Sequence, residues 1–374
     1  MSTISIQKNC FECKQIVTSL HMLRTIFLIG CIGVLYQSTH AQAVRKYSNE
    51  FLNIGVDARA FGMANAVVAS TNDVSATYWN PAGLMNLRDT QLSLMHASYF
   101  ANIAQYDVIG MAKPIDNRSA AGITLLRFGV DNILNTTQLI DSQGNIDYNR
   151  ITKFSAADYA LIISYARKSL TKNYTYGINA KIIRRIIGDF ASSWGFGFDI
   201  GIQFSHNSWS FGLTARDITT TLNFWQVDTQ IFDTVSQELP EQEAPELPNY
   251  TAKIQLGVLN VELNRRYFLH TELDLNMRFT KTNDIISSKA VSVSPALGIE
   301  LQYDNFVFLR TGLGNFQNEL QFDNSNSVTF QPNIGVGIMY KGIEIDYALT
   351  DIGNQTTALY SNIFSVKINW QYFR

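Results

Sequence analysis

The feature that most constrains this chain is a strict alternation of apolar and polar residues, repeated in long segments from Thr90 to the end. In one stretch Phe196, Phe198, Ile200, Ile202 and Phe204 fall on one face, with Gly197, Asp199, Gly201 and Gln203 on the other. Residues 267–279 set Leu269, Leu273, Leu275 and Met277 against His270, Glu272, Asp274, Asn276 and Arg278. The last segment sets Phe364, Val366, Ile368, Trp370 and Tyr372 against Ser365, Lys367, Asn369 and Gln371. Side chains alternate across a β-strand, so a period of two predicts strands with one apolar and one polar face. Fourteen strands are expected, near 90–100, 105–113, 119–129, 155–167, 174–187, 193–205, 209–217, 249–260, 266–279, 289–303, 306–313, 329–341, 343–350 and 361–373. Most reach the ~9–11 residues that a tilted strand needs to cross a bilayer, whereas soluble strands cluster near 5–6.

Two all-β architectures fit this pattern. A soluble sandwich would turn its apolar faces inward; a transmembrane antiparallel barrel would turn them toward lipid and line its lumen with the polar faces. The connections separate the two. After even-numbered strands they are short, as at 114–118, 206–208, Asp304-Asn305 and Gly342; after odd-numbered ones several are long, at 130–154, 218–248, 314–328 and 351–360. Outer-membrane barrels sort loops this way, with short periplasmic turns and long outer loops, and a sandwich has no reason to. Aromatic residues at strand ends, among them Tyr99, Phe100, Tyr303, Tyr340, Trp370, Tyr372 and Phe373, suit the interfacial girdles of a barrel.

Composition agrees. Charged residues are 16% of the chain, below the roughly 25% of average soluble domains. The net charge of −2 offers no basic field for nucleic acid. Mean hydropathy is −0.02, and no apolar run reaches the ~18 residues of a membrane helix. Residues 25–36 form an apolar run behind Arg24, followed by polar residues and Ala41-Gln42-Ala43, the pattern of a secretory signal peptide cleaved near 41–43. Its leader before Arg24 is long, and Met22 makes a more ordinary start. All three cysteines precede residue 44, so the mature chain is expected to have no disulfide and no thiolate metal site. The expected division is 1–43 signal peptide, 44–89 plug segment and 90–374 barrel, located in the outer membrane with its lipid around it.

Residues 49–70 do not alternate. Phe51, Ile54, Ala58, Phe61 and Asn65 fall at helical spacing among Gly55, Ala60, Gly62, Ala64 and Ala66. This predicts a short helical plug inside the barrel, where small residues allow close backbone approach, followed by a turn at Asn80-Pro81-Ala82-Gly83. No catalytic motif, metal set or cofactor loop is present in the sequence, and a non-enzymatic chain is expected. His270, Glu272 and Asp274 share one strand face and could bind a metal or shuttle protons; the plainer reading is polar lumen lining. His96 interrupts the apolar face of the first strand. In the 218–248 loop, Phe224 and Trp225 precede Glu238, Glu241, Glu243 and Glu246, spaced by Pro240, Pro245 and Pro248. Such a loop should stay extended and outside, either solvated or serving as a docking surface for a partner.

The stretch Gly55 to Ala66, with Gly55, Ala58, Arg59 and Gly62, followed by Asp73 to Leu84 with Asn80, Pro81, Ala82 and Gly83, resembles the start of the PorV/PorQ family. These are outer-membrane proteins of the Bacteroidota type IX secretion system, related to the fourteen-stranded FadL-type transporters of hydrophobic compounds, which share the Asn-Pro-Ala turn. The resemblance implies partners: type IX translocon or attachment-complex proteins, and secreted cargo recognised by its C-terminal domain and delivered to the cell surface. The FadL relationship implies an alternative, a transporter of hydrophobic small molecules. The matching positions are structural, so no binding residue is carried over.

Overall fold

A computed structural model describes residues 49–100, 102–140, 143–170, 173–206, 209–219, 222–227, 251–264, 266–279, 281–289, 291–320, 325–350 and 361–373. The signal segment expected at 1–43 and the acidic stretch from Glu238 to Glu246 lie outside these residues.

The strands are β1 (Gln91–Tyr99), β2 (Ala104–Asp116), β3 (Ser119–Asn135), β4 (Thr152–Lys168), β5 (Tyr174–Ile187), β6 (Ala191–His206), β7 (Trp209–Arg216) and β8 (Leu222–Val227), then β9 (Thr251–Asn264), β10 (Tyr267–Arg278), β11 (Ile286–Ser287), β12 (Ser292–Tyr303), β13 (Val307–Leu320), β14 (Asn326–Tyr340), β15 (Ile343–Thr350) and β16 (Ser361–Asn369). Each pairs antiparallel with its neighbours; β1 joins β16, and the β10–β12 pairing completes the circuit. Fourteen strands form the ring, as the alternation predicts. The two others are additions: β8 lies on β6 beyond the end of β7, and β11 lies on the first residues of β12. Phe224 and Trp225, expected within the 218–248 loop, thus lie in a strand paired with β6, where Trp225 packs under the Arg185 guanidinium, 5.2 Å from the ring centre.

Burial confirms which face is which. On β6, Ser193, Asp199 and Gln203 are buried, while Trp194, Phe196, Phe198, Ile200, Ile202 and Phe204 are exposed. The same inversion of the soluble rule runs around the ring, with Leu94, Ile109, Ile163, Leu309, Ile338, Ile345 and Phe364 all exposed. An apolar band facing outward on a closed barrel is stable only against lipid. Exposed aromatics ring the short-turn end: Tyr176, Trp209, Tyr267, Tyr303, Tyr340, Trp370 and Tyr372. The final segment is a strand only to Asn369; Trp370–Phe373 turn off as a 3₁₀ helix, so the terminal girdle residues sit at the barrel edge rather than in the sheet.

Several strands run past their expected limits. β13 and β14 continue to Leu320 and from Asn326, with a bulge between Gly314 and Gln317 where Asn315 is left-handed at φ 51°. β3 extends to Asn135 past a similar bulge with Asn132 at φ 61°. An extra residue in one strand demands a local turn, and asparagine tolerates the left-handed region that most residues avoid. Polar bulges of this kind mask the alternation, which is why residues 130–135 and 314–320 read as loop in the sequence.

The plug is not one helix. A 3₁₀ turn at Glu50–Asn53, helix α1 (Ala58–Gly62), helix α2 (Ala76–Trp79) and a 3₁₀ turn at Pro81–Asn86 are separated by bends. Gly55 (φ 115°), Asp57 (φ 74°), Ala64 (φ 52°) and Asn65 (φ 63°) all lie in the left-handed half of backbone space, which no continuous right-handed helix permits. The helical spacing of 51–65 reflects packing of Phe51, Ala58 and Phe61 into the core rather than a continuous helix. That core also takes in Leu52, Val56, Tyr78 and Trp79 from the plug, and Tyr99, Tyr106, Leu126, Ile162 and Ile183 from the wall. Each such side chain contributes about 1.5–3 kcal/mol when taken fully from water.

Candidate functional site: the plugged lumen

The wall is shaped to receive the plug. A Cβ placed on Gly122, Gly177, Gly201, Gly212, Gly298 or Gly312 would lie within 3.0 Å of plug atoms, and one on Gly335 would lie 3.0 Å from Gly62 Cα. These glycines come from β3, β5, β6, β7, β12, β13 and β14, so the lumen wall presents bare backbone to the plug on opposite sides. Lumen glycines in the alternating pattern, such as Gly197 and Gly201, read in the sequence only as the polar face.

Wall side chains then satisfy the plug's backbone. Glu272 accepts the Ala69 N–H at 2.7 Å and Asp274 the Val67 N–H at 3.1 Å. Gln203 donates to the carbonyls of Val68 and Thr71, both at 3.1 Å. Arg216 donates to the carbonyls of Leu52 and Tyr78, with its guanidinium 4.3 Å from the Tyr78 ring centre. Asn179 donates to the Thr77 carbonyl and Thr214 to that of Trp79. An irregular buried segment needs partners for every peptide group, and here the barrel supplies them. The row His270, Glu272, Asp274 thus performs lumen lining of a specific kind: two of its three members hold the plug.

The other tie is ionic. Lys367 Nζ lies 2.9 Å from Asp57 Oδ2 and 2.8 Å from Asp73 Oδ2, with Glu344 and Asp346 at 3.6 and 3.7 Å. Arg310 bridges Glu300 at 2.6 Å, Glu344 at 3.4 Å and Asp346; Arg59 of the plug reaches Glu300 at 3.0 Å. The network joins plug residues Asp57, Arg59 and Asp73 to β12, β13, β15 and β16. Burial pushes the Asp57 carboxyl up, whereas Lys367 and Arg59 outweigh burial at Asp73 and hold it below the usual carboxylate range. One of two carboxylates sharing an ammonium rises and the other falls, as like charges in one site require. A second buried pair, Lys181–Asp199 at 2.7 Å, sits on the opposite wall.

The resembling motif residues all have structural work. Gly55 turns the chain at positive φ; Ala58 is fully buried; Arg59 pairs with Glu300; Gly62 meets Gly335. Asn80 donates to the carbonyls of Val68 and Ile202 and accepts the Ala82 N–H at 3.2 Å. Pro81 and Ala82 lie against Gly177, and Gly83 against Thr71. The wall partners Lys367, Arg310, Glu300, Glu344, Asp346 and Arg216 carry no such motif. Their sequence signal is a lone charge on a lumen face, which marks the face but not the partner. His96 lies on the outward face, its Nδ1 2.7 Å from Asp107 Oδ1.

At the long-loop end the plug leaves a cavity of about 230 Å³ between residues 53–65 and strands β10 and β12–β15. The expected docking residues are not gathered at this cavity. Phe224 is exposed on β8 across the barrel, and Glu238, Glu241, Glu243 and Glu246 fall outside the described residues.

No protein-family profile and no curated protein matches the sequence. Solved structures do match the fold. The toluene transporter TodX of Pseudomonas putida aligns with a TM-score of 0.51 at 11% identity, over 84% of this chain and 98% of that one. A FadL homologue of Pseudomonas aeruginosa aligns at 0.48 and 12% identity, over 83% of this chain and 97% of that one. The toluene transporter TbuX of Ralstonia pickettii aligns at 0.46 and 12%, over 84% and 98%. With its closed ring, outward apolar band and filled lumen, this chain is an outer-membrane β-barrel whose fold is like that of TodX.

Proposed function

We propose that this barrel is a sealed, non-enzymatic scaffold that works at its outer rim. In this reading it resembles PorV and PorQ and binds secreted cargo, through the cargo's C-terminal domain, or a surface partner of a type IX secretion system. The observation that carries the reading is the density of the plug's anchoring. Backbone contacts against lumen glycines, hydrogen bonds from β5, β6, β7 and β10 and the Lys367–Arg310 network hold the plug on several sides. A folded protein domain is too wide for a fourteen-stranded lumen already filled, so recognition falls to the rim, where interfaces rely on aromatic anchors with a polar surround. Phe224, exposed at 63%, and residues 228–247 beyond it are the candidates.

A second reading, transport of hydrophobic small molecules, is favoured by the fold shared with TodX. It requires the plug to shift and open a path. The two readings separate in one experiment. Deletion of 228–247 should leave heat-modifiable gel mobility intact yet abolish recovery of translocon proteins or cargo from purified outer membranes. Normal recovery, together with toluene uptake that fails when the plug is altered at Phe61 or Asn80, would establish the transporter instead.

A further inference from the structure

The cavity at the long-loop end is used neither by the plug's anchoring nor by the rim function above. Its polar lining comes from Asn53 of the plug, Asn276 and Arg278 at the end of β10, Asn315 at the β13 bulge, and Gln331 and Asn333 of β14. Its floor is apolar, formed by Ile54, Phe61, Ala64 and Ala296. Much of the polar capacity is unspent. Among the described residues Arg278 has no acidic partner and the Asn276 amide has no hydrogen bond. Asn333, only 4% exposed, donates to the Gln331 carbonyl at 3.3 Å, while its own Oδ1 is buried without a partner. Gln331 uses its Nε2 on Thr350 at 2.7 Å and keeps its Oε1.

Ligand chemistry follows from this lining. An amide offers a donor and an acceptor side by side, the complement of a hydroxyl group that is both. A hydrocarbon would leave each buried amide unpaired at about 1–3 kcal/mol. A guanidinium with no acidic partner among the described residues calls for one carboxylate or phosphate-like group. The volume lies under the roughly 300–1,000 Å³ of drug-sized sites, enough for one small ring and no more. Apolar floor residues suit the C–H face of such a ring.

We propose that this cavity binds one uronic acid residue of a saccharide, with its carboxylate on Arg278, its hydroxyls on Asn276, Gln331 and Asn333, and its ring face on Phe61. The site is independent of the rim reading and stands or falls without it, since no partner protein enters its test.

The test is titration calorimetry of the purified barrel in detergent micelles with galacturonate, galactose, hexanoate and trigalacturonate. Galacturonate should bind, galactose about tenfold more weakly for want of the charge-assisted pair, and hexanoate not measurably. Arg278→Gln should bring galacturonate down to the level of galactose and leave galactose unchanged; Asn276→Leu should weaken both. Unaltered heat-modifiable mobility of each variant shows that the barrel is folded. Tighter binding of trigalacturonate than of the monomer assigns the site to the end of a surface chain, and the reverse assigns it to a free sugar acid. The proposal is overturned if hexanoate binds as tightly as galacturonate, if Arg278→Gln leaves galacturonate affinity unchanged, or if neither uronate binds at about 10 mM, a ceiling beyond which a built site has no meaning.

Discussion

The plug is held on its two sides by unlike means. Against β5, β6, β7 and β10 the wall grips the plug's backbone: Asn179, Gln203, Thr214, Arg216, Glu272 and Asp274 all bond to peptide groups. Against β12, β13, β15 and β16 it grips side chains, through Lys367 to Asp57 and Asp73 and through Glu300, itself held by Arg310, to Arg59. A backbone clasp depends on approach distance and tolerates changes in plug side chains. An ionic clasp depends on three plug residues and on keeping its charges matched. The difference predicts where the lumen opens first.

The largest effect is expected at Lys367. Lys367→Met would leave Asp57, Asp73, Glu344 and Asp346 around an uncharged side chain, and removing one partner of a buried pair costs about 3–5 kcal/mol. The plug should come free on this side while the ring of fourteen strands stays closed. Protease cleavage within 49–87 of detergent-purified protein, with unchanged heat-modifiable mobility, is the expected pattern. An uncleaved plug would show that the ionic clasp contributes little.

Gly212→Val attacks the other side. Its new Cβ would fall within 3.0 Å of the backbone of Val68 and Ala69, which cannot move aside as a flexible side chain would. Overpacking of this kind costs about 1–3 kcal/mol, so cleavage in 49–87 should rise less than in Lys367→Met. Equal or greater release would reverse the ranking of the two clasps.

On the ionic side, acid should act through Asp73 and Asp57. Asp73 is held below its ordinary value, so its contribution to stability is present above about pH 4 and is lost as the pH falls beneath that. Asp57 is raised, so its protonation comes earlier and relieves its repulsion with Asp73. The plug should therefore survive mild acid and become cleavable, by an acid-active protease, only below about pH 4. Release between pH 6 and 5 would contradict the depressed state of Asp73. The smallest effect is expected for Glu272→Gln, which can still accept the Ala69 N–H and loses only the charge on that bond, a change of about 1 kcal/mol.

The barrel was legible from residue types alone because lipid and lumen impose opposite demands on alternate positions. Phe196 to Phe204 declare both faces without any partner being known. Bulges hid where strands end, since Asn132 and Asn315 break the period and read as loop. The plug was legible as a non-alternating, small-residue segment, but its path was not: the left-handed turns at Asp57 and Ala64 answer to contacts with wall strands more than two hundred residues away in sequence, at Ser365 and Gly312. The charge network was the least legible. Lys367, Arg310 and Asp346 lie on separate strands, and strand register alone brings them together. Phe224 and Trp225 stood out as aromatics ahead of an acidic loop, yet their pairing with β6 left no mark on local spacing.

Single-channel recording of the purified barrel in planar bilayers asks whether the plug seals the lumen. The wild-type protein should insert without measurable ion conductance, and Lys367→Met should open steps of a size that fits an emptied fourteen-stranded lumen. Stable open channels in the wild-type protein would contradict a sealed scaffold and move the function into the lumen.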